Sequence, residues 1–157
     1  MKARIDFMTA DPKAIPLLLG IERHISASRL ESKLLHLVKM RASQINGCAF
    51  CLDMHSKDAR AEGETEQRLY SLDAWEEAPY YNDRERAALE WTEAVTLLGN
   101  GHVPDGIYEK VRAQFSEQEI ASLTLAVAMI NTWNRLNVAF RTPAGGYKPG
   151  MFKNLAE

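Results

Sequence analysis

Both cysteines of the chain lie in the segment CAFCLDMH (Cys48–His55), together with one of its four histidines. Cysteine and histidine residues can form a metal clip, a structural disulfide, or a thiol centre in which the histidine moves protons. On a helix, a spacing of three places the sulfurs of Cys48 and Cys51 on one face, within disulfide reach. His55 follows Cys51 by four residues, so its imidazole lies one turn further along. The segment therefore has the parts of a redox thiol site.

Gly47 is expected to end the preceding helix, which places both cysteines in the first turns of a new one. Unpaired backbone N–H groups and the positive end of the helix dipole favour a thiolate there. One thiolate would attack an electrophile, the histidine would transfer a proton, and the second thiol would close a disulfide. The dipole favours Cys48 as the more acidic thiol. We favour Cys51 as the nucleophile, because a nearby base such as His55 outweighs a diffuse dipole.

Two other interpretations of the cysteine pair stay open at this point. A closed zinc site needs four ligands. The candidates are Cys48, Cys51, His55 and one of His24, His36 or His102. The chain has no second Cys-x-x-Cys pair, and a helical core of this size needs no metal for stability. The pair can also be inert, because buried cysteine is common.

The elements that must position these residues are all predicted to be helices, because apolar residues recur at helical spacing without strand-like alternation. The expected helices span residues 12–28, 32–46, 47–63, 65–75, 82–99, 104–115 and 116–140. Capping-box sequences open the fifth at Asn82 and the seventh at Ser116. These seven helices predict a single all-α domain over residues 1–157, packed antiparallel through short loops. Residues 141–157, rich in Gly and Pro, are predicted to form an extended C-terminal arm.

The helix predicted over 116–140 is apolar nearly all round, which is typical of a central helix or of one buried against another subunit. Three tryptophans, Trp75, Trp91 and Trp133, lie in apolar stripes and are expected in the core or an interface. Glu90 and Glu93 flank Trp91 and can supply a carboxylate to the thiol pocket, although a solvated helix face also explains them.

The charge balance of 19 basic and 21 acidic residues is close to neutral. Because the chain has no run of basic residues, its charge gives no indication that it binds nucleic acid or a membrane surface. Asp6 and Asp11 interrupt any signal peptide, and the most apolar stretch, Ala121–Ile130, is too short to span a bilayer. We therefore expect a cytoplasmic protein, a compartment in which a lone cysteine pair is more often catalytic or metal-binding than a permanent disulfide.

The segment LLHLVKMRASQINGCAFCLDMHSKDARAEGE (Leu34–Glu64) resembles the core of the alkylhydroperoxidase D (AhpD)-like branch of the carboxymuconolactone decarboxylase family. The segments ERAALEWTEAVT and WNRLNVAFRTP also fit that branch, so the resemblance covers most of the chain. It implies an AhpD-like helical bundle that forms homo-oligomers, either trimers or hexamers. It also implies reduction of hydroperoxides by the cysteine pair, with an unidentified thiol or dithiol reductant and no metal, haem or other cofactor.

The resemblance further implies a role for individual residues. Cys51 corresponds to the peroxidatic cysteine, Cys48 to the resolving one, and His55 to a member of the proton relay. The family's relay glutamate stands twelve residues before the first cysteine, where this chain has His36. An imidazole can accept a proton as a carboxylate does, and His36 is expected on a helix face that can point toward the thiols. Phe50 stands where the family archetype carries a histidine between the cysteines.

These observations predict a thiol-dependent peroxidase. One alternative is an enzyme similar to carboxymuconolactone decarboxylase without peroxidase activity, although that chemistry has no use for a redox pair. The other is a redox-sensing or structural oligomer with negligible turnover.

Overall fold

The structure is a computed structural model that describes residues 2–152, and within these residues the chain forms helices and turns with no strand. The α-helices are α1 (Phe7–Ala10), α2 (Ala14–Ser26), α3 (Ser32–Ile45), α4 (Ala49–Ala61), α5 (Glu66–Tyr70), α6 (Asp83–Thr96), α7 (Asp105–Gln114) and α8 (Glu117–Phe140). Two 3-10 turns lie at Leu72–Ala74 and Leu98–Asn100. The predicted all-α bundle is confirmed. That the whole chain, 1–157, is one domain stays a prediction.

Helix α3 lies at the centre of the bundle and contacts α4, α6 and α8. Its fully buried Val38 belongs to the larger apolar cluster, which α2, α6, α7 and α8 complete. The neighbouring Leu37, also fully buried, packs in a second cluster with Leu72 and Leu89. Burial of each such side chain contributes about 1.5–3 kcal/mol. Because α3 is packed on several sides, the helix that follows it starts from a fixed position.

The predicted helix starts at Asn82 and Ser116 are confirmed. Each side chain accepts the backbone N–H three residues on, and the glutamates at those positions, Glu85 and Glu119, accept the N–H of the capping residue in return. The predicted break at Gly47 is also confirmed, because that residue has φ +63° between α3 and α4. A side chain would be strained in this left-handed conformation.

Three details differ from the predicted helices. Helix α1 was not predicted; it is a single turn that Asp6 caps by accepting the N–H of Met8. The fourth predicted helix ends at Tyr70 instead of residue 75, and a 3-10 turn carries the chain on to the buried Trp75. Helix α8 is not apolar all round, since three asparagines near its C-terminal end are buried. Its apolar face therefore includes a polar strip.

After α8, residues 142–152 (here called the strap) run without helix or strand against α4. The Tyr147 hydroxyl lies 2.8 and 3.0 Å from the two Asp58 carboxylate oxygens. Lys57 Nζ donates to the carbonyl oxygen of Tyr147 at 3.0 Å, and the N–H of Gly145 donates to Asp53 at 3.0 Å. Residues 153–157 of the predicted arm lie outside the described residues. No helix among those described is long and apolar enough to cross a membrane.

Candidate functional site

The start of α4 is built by the turn around Gly47. Cys48 is the N-cap residue, with extended backbone, and its sulfur accepts the N–H of Cys51 at 3.4 Å. The Asn46 amide donates to the carbonyl oxygen of Ala42 at 2.9 Å and to the side-chain oxygens of Asn131 and Asn134, at 3.0 and 2.9 Å. The end of α3 is thereby joined to α8 directly beside the cysteines.

Both cysteines are reduced, and each is only 1 % exposed. The Cys51 thiol donates a hydrogen bond to the Cys48 sulfur. This bond lowers the pKa of Cys48 to about 7, against the opposing effect of burial. The same bond, then burial and the charge on Cys48, raise the pKa of Cys51. Cys48 therefore loses its proton first, with a midpoint near neutral pH, while Cys51 keeps its own proton.

The two thiols face different surroundings. Cys51 lines a cavity of about 670 Å³, whereas Cys48 is not among its lining residues and packs behind it against Ile130. The inner wall of the cavity, formed by α3, α4 and α8, includes His36, Lys39, Cys51, His55 and Asn137. The outer wall consists of Ala3, of residues 5–8 and of the strap. A small molecule in this cavity can reach Cys51 but not Cys48.

His55 lies on the inner wall and is 6 % exposed. Burial, followed by the positive charges of Lys39 and His36, lowers the pKa of His55 well below its usual value. The imidazole is therefore neutral at physiological pH and has a nitrogen lone pair that can accept a proton.

His36 lines the same cavity, as the sequence predicted that it could. Its Nε2 lies 3.2 Å from Glu62 Oε2, but without hydrogen-bond alignment, and neither ring nitrogen has a hydrogen-bond partner among the described residues. Glu22 of α2 adds a carboxylate to the cavity lining, where it accepts bonds from Lys39 Nζ at 2.7 Å and from Trp133 Nε1 at 3.0 Å. Besides His55, the cavity lining therefore includes two further ionisable side chains, His36 and Glu22.

Other candidate residues lie elsewhere. Glu90 pairs with Lys110 at 2.7 Å, and Glu93 accepts bonds from Arg41 and Trp75, so neither glutamate supplies a carboxylate to the cavity. The two remaining histidines, His24 and His102, are exposed and outside its lining. Trp75 and Trp91 are core residues, whereas Trp133 also lines the cavity. Among the described residues, no three His, Cys, Asp or Glu side chains are grouped as metal ligands.

Asn134 and Asn137 of α8 are the site residues that sequence analysis missed. The Asn137 amide donates to the Cys51 sulfur at 3.6 Å, and Asn134 contributes hydrogen bonds that lower the pKa of both thiols. Asn131, Asn134 and Asn137 repeat every three residues, which places them along one side of α8. This spacing within an otherwise apolar helix was the available signal.

The helical bundle and the thiol pair at the start of α4 define the class of protein. The chain belongs to the carboxymuconolactone decarboxylase family, whose model matches residues 17–94. Its fold is that of the AhpD-like branch, as the structural comparison shows.

The comparisons identify two proteins of high similarity. The uncharacterised protein YdfG of Bacillus subtilis is 41% identical over 139 residues, which cover 88% of this chain and 95% of YdfG. A protein of unknown function from Agrobacterium tumefaciens, provisionally named as the antioxidant defence protein AhpD, is 43% identical, with a TM-score of 0.89 over 93% of this chain and 100% of that chain. The debrominase Bmp8 shares the fold at 20% identity, with a TM-score of 0.76 over 88% of this chain and 75% of its own.

Proposed function

We propose that the protein is a thiol-dependent peroxidase that reduces hydroperoxides through Cys51, Cys48 and His55. The single observation that carries the proposal is the division between the thiols: Cys51 meets the cavity beside a neutral His55, and Cys48 lies behind it. The resemblance to the AhpD-like branch supports the same roles.

In the first step, the Cys51 thiol turns from the Cys48 sulfur toward His55, one helical turn along α4, and neutral His55 accepts its proton. The Cys51 sulfur attacks the terminal oxygen of the hydroperoxide, forming an S–O bond while the O–O bond breaks. The electron pair of that bond leaves with the alkoxide, which takes the proton from His55 and departs as the alcohol. Cys51 is left as a sulfenic acid.

In the second step, the Cys48 thiolate attacks the sulfenic sulfur of Cys51. A disulfide forms, and hydroxide leaves and is protonated to water. An external dithiol then reduces the disulfide and is itself oxidised. Over the cycle, one hydroperoxide and one dithiol give an alcohol, water and the oxidised dithiol.

The lowered pKa of Cys48 suits this second step, although the more acidic thiol of a pair is often the first nucleophile. We assign the first step to Cys51 because a hydroperoxide has no path to a sulfur that the cavity does not reach. Cys48 then serves as a resolving thiol that is already partly ionised near neutral pH.

We assign His36 to the proton relay, in the place of the family's glutamate. His36 lines the same cavity as His55 and Cys51, and its ring nitrogens have no hydrogen-bond partner among the described residues. Assembly as a trimer or hexamer, and a cytoplasmic location, stay predictions from the sequence.

The proposal is tested by assaying purified protein for consumption of tert-butyl hydroperoxide with dithiothreitol, against a protein-free blank. We expect turnover in the wild type and none above the blank in Cys51→Ala. Carboxymuconolactone decarboxylation consumes no thiol, so an enzyme of that type would show no dithiothreitol-dependent turnover. Undiminished peroxide consumption by Cys51→Ala would refute the assignment.

A further inference from the structure

Asn137 carries a polar atom that the fold leaves unsatisfied beside the reactive thiol. The residue is 5 % exposed, lines the cavity, and has a side-chain oxygen, Oδ1, that is buried without a hydrogen-bond partner among the described residues. Leaving a buried acceptor unpaired costs about 1–3 kcal/mol. Because the residue lines the cavity, a molecule bound there can supply the missing donor.

The orientation of this amide follows from its neighbours. Nδ2 donates to the carbonyl oxygen of Trp133 at 2.9 Å, and a carbonyl can only accept, so the nitrogen must face it. The other Nδ2 hydrogen is directed at the Cys51 sulfur, at 3.6 Å. Both donors are therefore in use, and only the acceptor Oδ1 remains available.

The geometry points to Asn137 as a substrate-binding residue, whose Oδ1 accepts a hydrogen bond from the terminal O–H of the hydroperoxide. This inference rests on the proposed function. A hydroperoxide ROOH has one O–H donor, and the oxygen that carries it is the atom that Cys51 attacks. One amide thus contacts both reacting atoms, the sulfur through Nδ2 and the oxygen through Oδ1.

The hydrogen on that oxygen does not move during the first step. It stays with the oxygen that is transferred to sulfur, so the sulfenic acid at Cys51 keeps the hydrogen bond to Asn137. The alkoxide receives its proton from His55, as in the scheme above. The contact therefore favours substrates with a free O–H and gives no advantage to a dialkyl peroxide, which has no donor.

The test compares two reagents for Cys51 in a Cys48→Ser background, so that only one thiol reacts. The first is tert-butyl hydroperoxide, with dimedone as the trap for the sulfenic acid. The second is methyl methanethiosulfonate, an electrophile without a hydrogen-bond donor. For Asn137→Ala we expect the hydroperoxide rate constant to fall about 10- to 100-fold, because a preorganised contact to the reacting oxygen is lost. The thiosulfonate rate constant should fall less than about threefold, since only a hydrogen bond to the sulfur is removed.

Further variants separate this role from a structural one. Asn137→Asp keeps an acceptor, so the ratio of the two rate constants should stay near that of the parent, although both rates fall. Asn137→Leu keeps the approximate shape without an acceptor, so its ratio should fall, and it decides the question if Asn137→Ala does not fold. Asn131→Ala deletes an amide of the same helix outside the cavity lining and should preserve the ratio.

Equal losses with both reagents in Asn137→Ala and Asn137→Leu would overturn the inference, as would an unchanged hydroperoxide rate. Those results would leave the proposed peroxidase activity intact. If the parent protein does not react with hydroperoxide but does react with thiosulfonate, the proposed function fails, and the assignment of Asn137 fails with it.

Discussion

The two walls of the cavity are built in different ways. The inner wall belongs to α3, α4 and α8, which pack against one another, and its functional side chains are held by buried contacts such as those of Asn46 and Asn134. The outer wall packs less extensively, through ring contacts of Phe7 with Trp133 and Phe140 and through the buried Tyr147. It consists of the segment before and within α1 and of the strap, and polar contacts join these to the bundle, including those of Arg4 with the end of α8.

This difference separates the groups that react from the residues that control how a substrate enters the cavity. The Cys51 sulfur and the His55 ring, which must be placed accurately, belong to the inner wall, and the Cys48 sulfur lies behind it. We expect the outer wall to determine what enters the cavity. A wall that packs less extensively opens locally at a lower cost in free energy. Substitutions on the inner wall should therefore change reaction steps, and those on the outer wall should change substrate binding.

Cys48→Ala, which removes the thiol behind the inner wall, should have the largest effect among the following changes. The first reaction of Cys51 with hydroperoxide persists, but no disulfide can form, so turnover at low dithiothreitol should fall at least about 100-fold and Cys51 should oxidise further to the sulfinic acid. Turnover assays check the first of these results, and mass spectrometry of the peptide that contains Cys51 checks the second. Wild-type turnover without sulfinic acid would show that Cys48 is not the resolving thiol.

His55→Gln should slow the reaction of Cys51 with hydroperoxide about 10²-fold, the lower end of the range for loss of a general base, because the lowered pKa of His55 makes it a weaker base. Because burial lowers the pKa of His55, the ring stays neutral as the pH falls below its ordinary value of 6.5, and the base should remain effective there. His24→Gln, on the exposed side of α2, is the matched control. A rate for His55→Gln equal to that of the control would remove His55 from the relay.

The pH titration of the thiols sharpens the distinction between the two cysteines. The reduced wild type should form thiolate with a midpoint of about 7, because Cys48 titrates first. Cys51→Ala removes the main hydrogen bond to Cys48, so the midpoint should rise toward the ordinary value of 9.0. The ultraviolet absorbance of the thiolate, followed as a function of pH, measures both midpoints. A midpoint that stays near pH 7 in Cys51→Ala would show that the hydrogen bond from Cys51 is not what makes Cys48 acidic.

The same titration has a consequence for stability. Since the pKa of Cys48 is lowered on folding, its stabilising contribution is complete above the unfolded value of 9.0 and is lost as the pH falls through about 7. Thermal unfolding at constant ionic strength should show this loss in the wild type and not in Cys48→Ala.

Tyr147→Phe, on the outer wall, should have the smallest effect. It removes the bond to Asp58 that helps to hold the strap, at a cost of about 1 kcal/mol in stability. We expect KM for tert-butyl hydroperoxide to change by about two- to fivefold, while the rate constant for methyl methanethiosulfonate at Cys51 stays the same. Tyr70→Phe, at a tyrosine that is 75% exposed, is the control. A slower reaction with the thiosulfonate would show that the strap also supports the inner wall.

The helices could be predicted because their signals are local. Apolar spacing and the capping residues at Asn82 and Ser116 lie within a few positions of the features that they determine. The break at Gly47 likewise places the thiols correctly at the start of α4. The cysteines and His55 could be proposed as one site for the same reason, because they lie three and four residues apart on a single helix.

The cavity itself could not be predicted, because it depends on contacts between residues distant in sequence. Residues of the 3–8 segment and of the strap line it together, and nothing in the sequence of either segment indicates that they share one cavity. Asn137 lies 86 positions from Cys51, and its contact with the sulfur follows only from how α8 crosses α4. His36 could be placed on the correct side from its helical position, but its neighbour Glu62 could not.

The sulfur of Cys48 completes the first turn of α4 by accepting the Cys51 N–H, so the redox state of the pair is thermodynamically linked to the free energy of that turn. Formation of a disulfide removes the negative charge that makes Cys48 a strong acceptor. By linkage, every contact that stabilises the reduced, charged cap makes the disulfide more oxidising, by about 30 mV for each 1.4 kcal/mol. The N–H groups at the start of α4 therefore help to set the reduction potential of the site.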